Sequence, residues 1–268
     1  MPAVYKSPIR KLENITDTIY LLSFYCPDIA NEAQPGQFVN IRATENVVPL
    51  WRRPFSIFDC DRKNGIVSML IALRGQGTSI LHSKKVGDSL NILGLLGNSF
   101  KIPDQNTHAI LVAGGIGIAP LYFLAKELQL KNIHTTIFYG AQTAHELCYI
   151  DELQQLCSDL HLATDDGSRG TKGFVTDVLK NEIVKKSNDK KYFIYTCGPT
   201  PMLQKVARLC DEHNLEGEVS LETIMACGFG ACMGCAVTMR DSQENAEHFC
   251  LTCKDGPVFN ISEVSIAS

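Results

Sequence analysis

Three cysteines in one glycine-rich stretch are the residues of this sequence most suited to chemistry. Cys227, Cys232 and Cys235 are spaced C-x4-C-x2-C, and two further cysteines, Cys250 and Cys253, follow. This spacing is the plant-type ligand pattern of a [2Fe–2S] cluster, which a fourth thiolate further along the chain completes. The glycines between the cysteines allow positive φ and a close approach of the backbone to sulfur. We predict an iron–sulfur site rather than a zinc knuckle, because zinc sites usually carry two separate C-x2-C pairs.

Composition limits what else the chain does. It has 268 residues, of which 45% are apolar and 20% are charged, and its net charge is −4. No basic tract is present, so nucleic acid is not an expected partner. We find no apolar run of about 18 residues and no signal-peptide core, and we expect neither a membrane span nor secretion.

Most of the eleven cysteines lie outside the glycine-rich stretch. Free thiols together with a cluster are typical of a reducing compartment, and we expect a cytoplasmic protein. Five cysteines that lie singly in apolar or mixed sequence are interpreted as small core residues: Cys26, Cys60, Cys148, Cys157 and Cys210.

Residues 6–95 contain short β-rich runs separated by turn pairs such as Pro35-Gly36 and Asn64-Gly65. Regular short strands with such punctuation predict an antiparallel barrel. A short helical segment from Ser79 to Lys84 interrupts the pattern.

Two motifs in this part could bind a phosphorylated cofactor. The first holds Arg53, suited to bidentate contact with a pyrophosphate, and Ser56, within reach of a flavin ring edge. The second is G-Q-G-T, in which Gly77 and Thr78 open the short helix and offer free N–H groups to a phosphate. The alternative is a surface arginine and an ordinary glycine turn.

From residue 102 onward, strands alternate with helices, which predicts a parallel sheet covered on both faces. The turn G-G-I-G-I-A-P contains Gly114, Gly115 and Gly117 between a strand and a helix, and Pro120 stands in the first helical turn. Such a turn brings the backbone close to a pyrophosphate at a helix N-terminus.

A second candidate nucleotide contact is Cys197-Gly198-Pro199, between another strand and the helix that starts near Met202. For the nucleotide itself, Asp165 and Asp166 could bond a ribose diol and would repel a 2′-phosphate. This favours NAD over NADP, although Arg169 stands close enough to weaken the argument.

The R-P-F-S and G-Q-G-T motifs, followed by GG-x-G-x-x-P and CGP, resemble the FAD and nucleotide domains of the ferredoxin–NADP reductase superfamily. The resemblance implies that Cys197 is a catalytic residue near the nicotinamide C4; the alternative is a buried thiol at a strand end. It also implies FAD contacts at Arg53, Pro54, Phe55, Ser56, Leu70, Ile71, Ala72, Gly77 and Thr78. It implies nucleotide contacts at Gly114, Gly115, Gly117, Pro120, Cys197, Gly198 and Pro199. Ile71 departs from the tyrosine of many relatives and offers no aromatic ring for stacking on the flavin.

The order of barrel, nucleotide domain and cluster, with S-L-E-x-x-M-x-C-G-x-G-x-C-x-x-C and C-x-D-G-P-V-F, resembles one family over essentially the whole chain. It is the family of electron-transfer subunits of two-component, NAD-dependent dihydroorotate dehydrogenase. The resemblance implies a heterotetramer with two FMN-containing catalytic subunits, in which electrons pass through [2Fe–2S] and FAD to NAD⁺ in pyrimidine (UMP) biosynthesis. The cluster loop, with Phe229 and Met233, would then face the partner.

The fourth cluster ligand is either of two cysteines. A common family spacing, with fourteen residues after Cys235, leads to Cys250, whereas the downstream text C-x-D-G-P-V-F leads to Cys253. Because loop length varies at little cost in closure entropy, we choose Cys253 and keep Cys250 as the alternative.

We therefore expect an α+β protein of three parts: an FAD-binding barrel over 1–101, an NAD-binding α/β domain over 102–218 and a small [2Fe–2S] region over 219–268. One alternative function is the reductase subunit of another complex, such as a hydrogenase or a ferredoxin-dependent NADP reductase. The other is a cluster-based redox sensor that performs no catalysis.

Overall fold

The first part of the chain is an antiparallel sheet that curls into a barrel. The structure is a computed structural model, and it describes residues 2–46, 48–183, 190–240 and 248–266. The strand order is β4-β3-β7-β1-β2-β6-β5, and β4 also contacts β6 across the opening. These elements are β1 (Ala3–Asn14), β2 (Ile19–Tyr25), α1 (Pro27–Glu32), β3 (Phe38–Arg42), β4 (Arg53–Ser56), β5 (Asp59–Asp61), β6 (Ile66–Ala72), α2 (Gln76–His82) and β7 (Ser89–Leu96).

Alternation along β3 separates the inside of the barrel from its outer face. Val39 and Ile41 are fully buried in the barrel core with residues of β2, β6 and β7. Phe38 points to the opposite face, where it packs against residues of the C-terminal region. The period of two in a strand therefore gives β3 one face for the barrel and one for the cysteine region.

The second part is a sheet with helices on both faces, in the order β11-β10-β9-β8-β12-β13-β16. All its pairs are parallel except β13 with β16. Helices α3 and α4 pack on one face, and α5 and α6 pack on the other. The remaining elements are β8 (Thr107–Gly114), α3 (Ile118–Leu130), β9 (Thr135–Ala141), α4 (Ile150–Leu156), β10 (Asp159–Thr164), β11 (Thr171–Lys172), α5 (Val175–Ile183), β12 (Lys191–Cys197), α6 (Thr200–His213), β13 (Glu216–Ser220), β14 (Ala236–Met239), β15 (His248–Leu251) and β16 (Val258–Asn260).

The expected classes, a barrel and a parallel α/β sheet with a small C-terminal region, are confirmed. The sequence of residues 146–156 also predicts one helix, and this prediction is wrong for the first four residues, since α4 begins at Ile150. Ala144–Glu146 forms a 3-10 turn, and Tyr149 adopts a left-handed φ of 55° before α4 begins. An α-helix does not continue through such a residue.

The C-terminal region packs against both other parts. Its hairpin β14–β15 carries the cysteine loop on one side, while β16 joins the edge of the second sheet beside β13. Strand β13 spans the proposed boundary at residue 218, and Glu218 accepts a hydrogen bond from the backbone N–H of Lys101 (2.9 Å). The division at 101 and 218 stays a prediction.

Asn98 links the end of the barrel to the turn that follows Cys253. Its side-chain amide donates to the carbonyl oxygens of Asp255 (3.0 Å) and Val258 (2.8 Å). Its Oδ1 accepts from the N–H of Val258 (2.9 Å). One side chain thereby holds the strand β16 and the preceding turn against the barrel.

We predict that Asn98→Ala lowers the free energy of unfolding by about 1–2 kcal/mol, because three hydrogen bonds are lost. Denaturant unfolding of the full chain measures this. Asn64→Ala is the matched control, since Asn64 bonds only within an exposed turn, to Asp61 (2.7 Å). Equal losses in the two variants would contradict the role given to Asn98.

Candidate functional site

A cavity of about 270 Å³ lies between the barrel and residues 220–225, and we name it the barrel cavity. Most of the predicted FAD contacts line it: Arg53, Pro54, Phe55, Ser56, Leu70, Ile71, Ala72 and Thr78. Gly77 lies outside this lining, packed beneath Arg53, and a Cβ there would come within 2.9 Å of Arg53 Nε. Phe38 and Phe55 supply the aromatic surface that Ile71 lacks.

Arg53 and Thr78 both line this cavity, but their side chains have different hydrogen-bond partners. Arg53 donates from Nη1 to the carbonyl oxygens of Trp51 (2.7 Å) and Arg52 (3.2 Å), which fixes its guanidinium. The Thr78 hydroxyl accepts from the N–H groups of Arg74 (3.0 Å) and Gly75 (3.2 Å). Thr78 therefore holds the turn before α2, and Arg53 is one of the charged residues that line the cavity, together with Arg74 and Glu222.

A second cavity of about 420 Å³, the glycine-loop cavity, lies at the carboxyl ends of the parallel strands. Five predicted nucleotide contacts line it: Gly114, Gly115, Gly117, Gly198 and Pro199. Pro120 is a buried residue in the first turn of α3 and does not line the cavity. Sequence reasoning missed Gln142, Glu146, Phe174, Thr176 and Lys205, which come from loops and helices without a glycine signature.

Gly117 has a packing reason to be glycine. A Cβ at this position would collide with the main-chain carbonyl of Cys197 at the end of β12. The missing side chain thus lets the loop after β8 lie directly on the loop after β12, which closes the floor of the glycine-loop cavity.

Cys197 lines neither cavity and is 1% exposed. Burial raises the pKa of its thiol well above the ordinary value, with a further contribution from Glu222, and a hydrogen bond to Ser220 acts the other way. Cys197 is therefore a neutral thiol at neutral pH. Its predicted place beside the nicotinamide stays a prediction.

Arg74, Ile116 and Glu222 line both cavities, so the two cavities meet at these residues. Burial raises the pKa of the Glu222 carboxyl, and the charge of Arg74 opposes that shift. Sequence reasoning gave neither charged residue a role, although Glu222 stands in the S-L-E motif. A ligand in the barrel cavity and one in the glycine-loop cavity would contact each other here.

The cysteine loop brings four cysteines together as two pairs. Cys227 contacts Cys232, and Cys235 contacts Cys253 through their side chains. No group of three His, Cys, Asp or Glu in the described ranges forms a site for one metal ion. Two pairs fit a two-iron cluster, in which each iron takes two thiolates and shares two sulfides.

Backbone N–H groups in the loop stabilise negative charge on sulfur. Burial opposes ionisation of Cys227, but hydrogen bonds from the N–H groups of Phe229, Cys232 and Ala231 and from the Cys232 side chain outweigh it and lower its pKa to about 6. Cys253 Sγ accepts from the N–H of Gly230 (3.1 Å). Burial and the neighbouring Cys235 nevertheless raise the pKa of the Cys253 thiol to about 12. The backbone donors therefore favour the thiolate at Cys227 and supply one hydrogen bond to sulfur at Cys253.

Cys250 and Cys253 differ in their surroundings. Adjacent residues of a strand face opposite ways, and Leu251 packs with Cys235 and Cys253. Cys250 consequently faces away, packs at the edge of the core around α6, and lies 3.8 Å from His248 Nε2. This arrangement supports Cys253 as the fourth ligand.

The cysteine pair and the barrel cavity share a wall. Phe38 and Met225 line the barrel cavity and also belong to the same buried cluster as Cys235 and Cys253. A cluster on these cysteines and a ligand in the barrel cavity would thus be separated by little more than two side chains.

Comparison with known proteins agrees with this layout. Residues 222–265 match the iron-sulfur cluster binding domain of dihydroorotate dehydrogenase B, and residues 111–208 match the oxidoreductase NAD-binding domain. A dihydroorotate dehydrogenase B (NAD(+)) electron transfer subunit from Desulforamulus reducens is 36% identical over 97% of this chain and 97% of its own length. The chain belongs to this family. A Fusobacterium nucleatum subunit of the same name is 38% identical over 87% of each chain.

Solved structures show the same architecture. A structure from work on flavin-based electron bifurcation by an NADH-dependent reduced ferredoxin-NADP oxidoreductase has a TM-score of 0.85 and 32% identity, and the match covers 99% of this chain and 91% of that one. Ferredoxin-NADP+ reductase from Plasmodium falciparum, at 21% identity and a TM-score of 0.66, covers 81% and 96% and shares the fold.

Family and fold assign [2Fe–2S], FAD and NAD to the chain as its cofactors. The cysteine loop, the barrel cavity and the glycine-loop cavity are the respective candidate sites. No helix in the described ranges is both long and apolar enough to cross a membrane.

We predict that Cys253→Ser loses most of the cluster iron, because a ligand is removed, while Cys250→Ser keeps iron near the wild-type content. The two variants control for each other. Iron analysis and the visible spectrum of the purified chain measure the outcome. Full iron in Cys253→Ser together with loss in Cys250→Ser would reverse the ligand assignment.

We predict that Arg53→Ala weakens FAD binding about 10- to 100-fold, the cost of a lost charge-assisted hydrogen bond. Flavin release followed by fluorescence titration measures it. Arg62→Ala is the control, because Arg62 pairs with Glu127 (2.8 Å) and lines neither cavity. An unchanged FAD affinity in Arg53→Ala would exclude Arg53 as a pyrophosphate contact.

Proposed function

We propose that this chain carries electrons from the FMN of a dihydroorotate-oxidising partner subunit through its [2Fe–2S] cluster and FAD to NAD⁺, in pyrimidine biosynthesis. The observation that carries the proposal is the serial layout of the three sites. Phe38 and Met225 join the cysteines to the barrel cavity, and Arg74 and Glu222 join that cavity to the glycine-loop cavity.

When bound, the cofactors would supply the redox chemistry: the cluster exchanges single electrons, and the flavin combines two of them with a proton from solvent and delivers a hydride to the nicotinamide. The chain's own residues bind and orient. Cys227, Cys232, Cys235 and Cys253 hold the cluster. In the barrel cavity, Arg53 would contact the FAD pyrophosphate and Ser56 the flavin ring edge.

The glycine-loop cavity would hold the nucleotide. Its glycines at 114, 115, 117 and 198 let the backbone approach the pyrophosphate. Cys197 would lie as a neutral thiol behind the nicotinamide and help to position it.

NAD fits this cavity better than NADP. Asp165 and Glu146 line it and would repel a 2′-phosphate. Arg169, the cation that weakens this argument, does not line it. Lys205 lines the cavity, and its ammonium lies 4.2 Å from the centre of the Phe174 ring.

The partner surface would be the cysteine loop. Phe229 is 52% exposed and Met233 60% exposed, and Ile224 is more open still at 91%. Exposed apolar side chains around a redox centre suit a docking surface. We propose a heterotetramer of two chains and two catalytic subunits, located in the cytoplasm.

A second candidate is the reductase subunit of a ferredoxin–NADP system. The 32% identity over 99% of the chain with the electron-bifurcating oxidoreductase structure favours it. The carboxylates of the glycine-loop cavity argue against NADP, and the 36–38% identity to dihydroorotate dehydrogenase subunits supports the first candidate. A redox sensor would need neither of the two cavities.

We predict that the purified chain reduces dyes with NADH but does not oxidise dihydroorotate, because the proposal assigns that oxidation to the FMN of the partner subunit. Adding an FMN-containing catalytic subunit should produce dihydroorotate-dependent NADH formation. Spectrophotometry at 340 nm measures both reactions. Oxidation of dihydroorotate by the chain alone, or activity only with NADP⁺ and ferredoxin, would refute the proposal.

A further inference from the structure

Three residues in the described ranges carry buried side-chain polar atoms without a hydrogen-bond partner: Asn40, Thr176 and Thr223. Thr176 lines the glycine-loop cavity and Thr223 lines the barrel cavity. Two of the three unpaired groups therefore stand where a nucleotide and a flavin bind. Unpaired buried polar groups are rare in proteins and usually mark an absent water, ion or ligand.

The third, Asn40, lies in neither cavity and is 0% exposed. It occupies β3, where its neighbours Val39 and Ile41 face the barrel core. By strand alternation Asn40 shares the opposite face with Phe38, which packs against Cys235 and Cys253. Its side chain is therefore on the cluster side of the barrel wall.

Asn40 abuts the cysteine loop directly after its first cysteine. A Cβ at Gly228 would collide with Asn40 Nδ2. Gly228 also has a φ of 79°, so only glycine suits this position. The absent side chain at Gly228 leaves the Asn40 amide directly against the loop next to Cys227.

Both ends of the Asn40 amide lack a partner, since Oδ1 and Nδ2 are each unpaired. An unsatisfied buried polar group is destabilising, because folding removes its hydrogen bonds to water. An apolar side chain of the same shape would avoid that cost. A ligand that accepts a hydrogen bond at this place would give Nδ2 a partner, just as a ligand in each cavity could give Thr176 and Thr223 one.

We propose that Asn40 donates a hydrogen bond from Nδ2 to a sulfur at the Cys227 corner of the cluster and thereby raises the reduction potential of the cluster. Reduction adds negative charge that the sulfurs share, so a donor stabilises the reduced form more than the oxidised form. Asn40 is a positioning and tuning residue, not a ligand. The inference rests on the proposed placement of the cluster and is independent of the partner and of dihydroorotate.

The test is a redox titration of the FAD- and cluster-containing chain, followed by EPR for the cluster and absorbance for the flavin. Asn40→Leu should keep the wild-type iron content, lower the cluster midpoint potential and shift the EPR signal of the reduced cluster. The flavin potential should stay at its wild-type value. A full cluster with unchanged potential and EPR signal would overturn the proposal.

Thr176→Val is the matched control, because it removes an equally buried and unpaired polar atom at a different site. It should leave the cluster potential unchanged and raise the KM for NADH. An equal fall in the cluster potential in both variants would also overturn the role of Asn40, since the effect would then not depend on contact with the loop.

A measurement on the wild-type chain tests the hydrogen bond from Asn40 even if the Asn40→Leu variant does not fold or does not bind its cluster. Labelling the asparagine side-chain amides with ¹⁵N and recording pulsed EPR of the reduced cluster should reveal a ¹⁵N coupling. A wild-type cluster without that coupling overturns the inference alone. A wild-type chain that binds no iron would overturn the proposed function as well, which separates the two failures.

Discussion

The structure depends on the packing of one short segment between the two sheets. Strand β13 ends at Ser220, and Cys227 follows after only a few residues. Ser220, Leu221, Glu222, Thr223 and Met225 all line the barrel cavity. Because β13 is fixed by parallel pairing with β12 and antiparallel pairing with β16, this segment has little freedom. The cysteine loop is thereby held against the barrel, where one-electron transfer to a flavin requires it.

The cysteine loop shows how ligand spacing and local backbone geometry act together. The x4 spacing gives the pair of Cys227 and Cys232, whereas Cys235 pairs with Cys253, which follows β15. The left-handed glycines at 228 and 230 turn backbone N–H groups toward sulfur. Cys235 and Cys253 are buried among apolar side chains, whereas Cys232 is exposed. One iron would therefore face the barrel and the other would lie nearer the surface, an arrangement suited to a centre that passes electrons between a partner and an internal flavin.

Much of this organisation could be predicted from the sequence because local patterns determine it. Strand β2 coincides with a β-rich run of apolar and aromatic residues at 19–25, and the glycine turn before α3 lies where its motif places it. Strand β1 gives no comparable signal, because most of its side chains are exposed or charged and its stability comes from pairing with β2 and β7. Strand β16 is equally hard to predict from the sequence, because it forms by pairing with β13, about forty residues earlier in the chain.

The missed site residues have the same explanation. Arg74 and Glu222 meet only because the barrel and the second sheet pack together. Asn40 becomes a candidate site residue only because it lies against Gly228, which is distant in sequence. Pro120 illustrates the opposite case, since it belongs to the motif and yet packs inside α3. Short motifs locate the binding loops, whereas contacts between distant segments select the charged and polar groups around them.

In the proposed function, electrons pass from the cluster to the flavin and from the flavin to NAD⁺. The most direct measurement mixes the fully reduced chain with NAD⁺ and follows the EPR signal of the cluster together with NADH formation, with and without bound FAD. With FAD bound, two of the three electrons of the reduced chain form one NADH and the third is shared between cluster and flavin, so we expect NADH formation and at least a partial loss of the cluster signal. In the FAD-depleted chain we expect a persistent cluster signal and no NADH. Equally fast oxidation of the cluster by NAD⁺ without FAD, or a cluster that stays fully reduced with FAD present, would contradict this path.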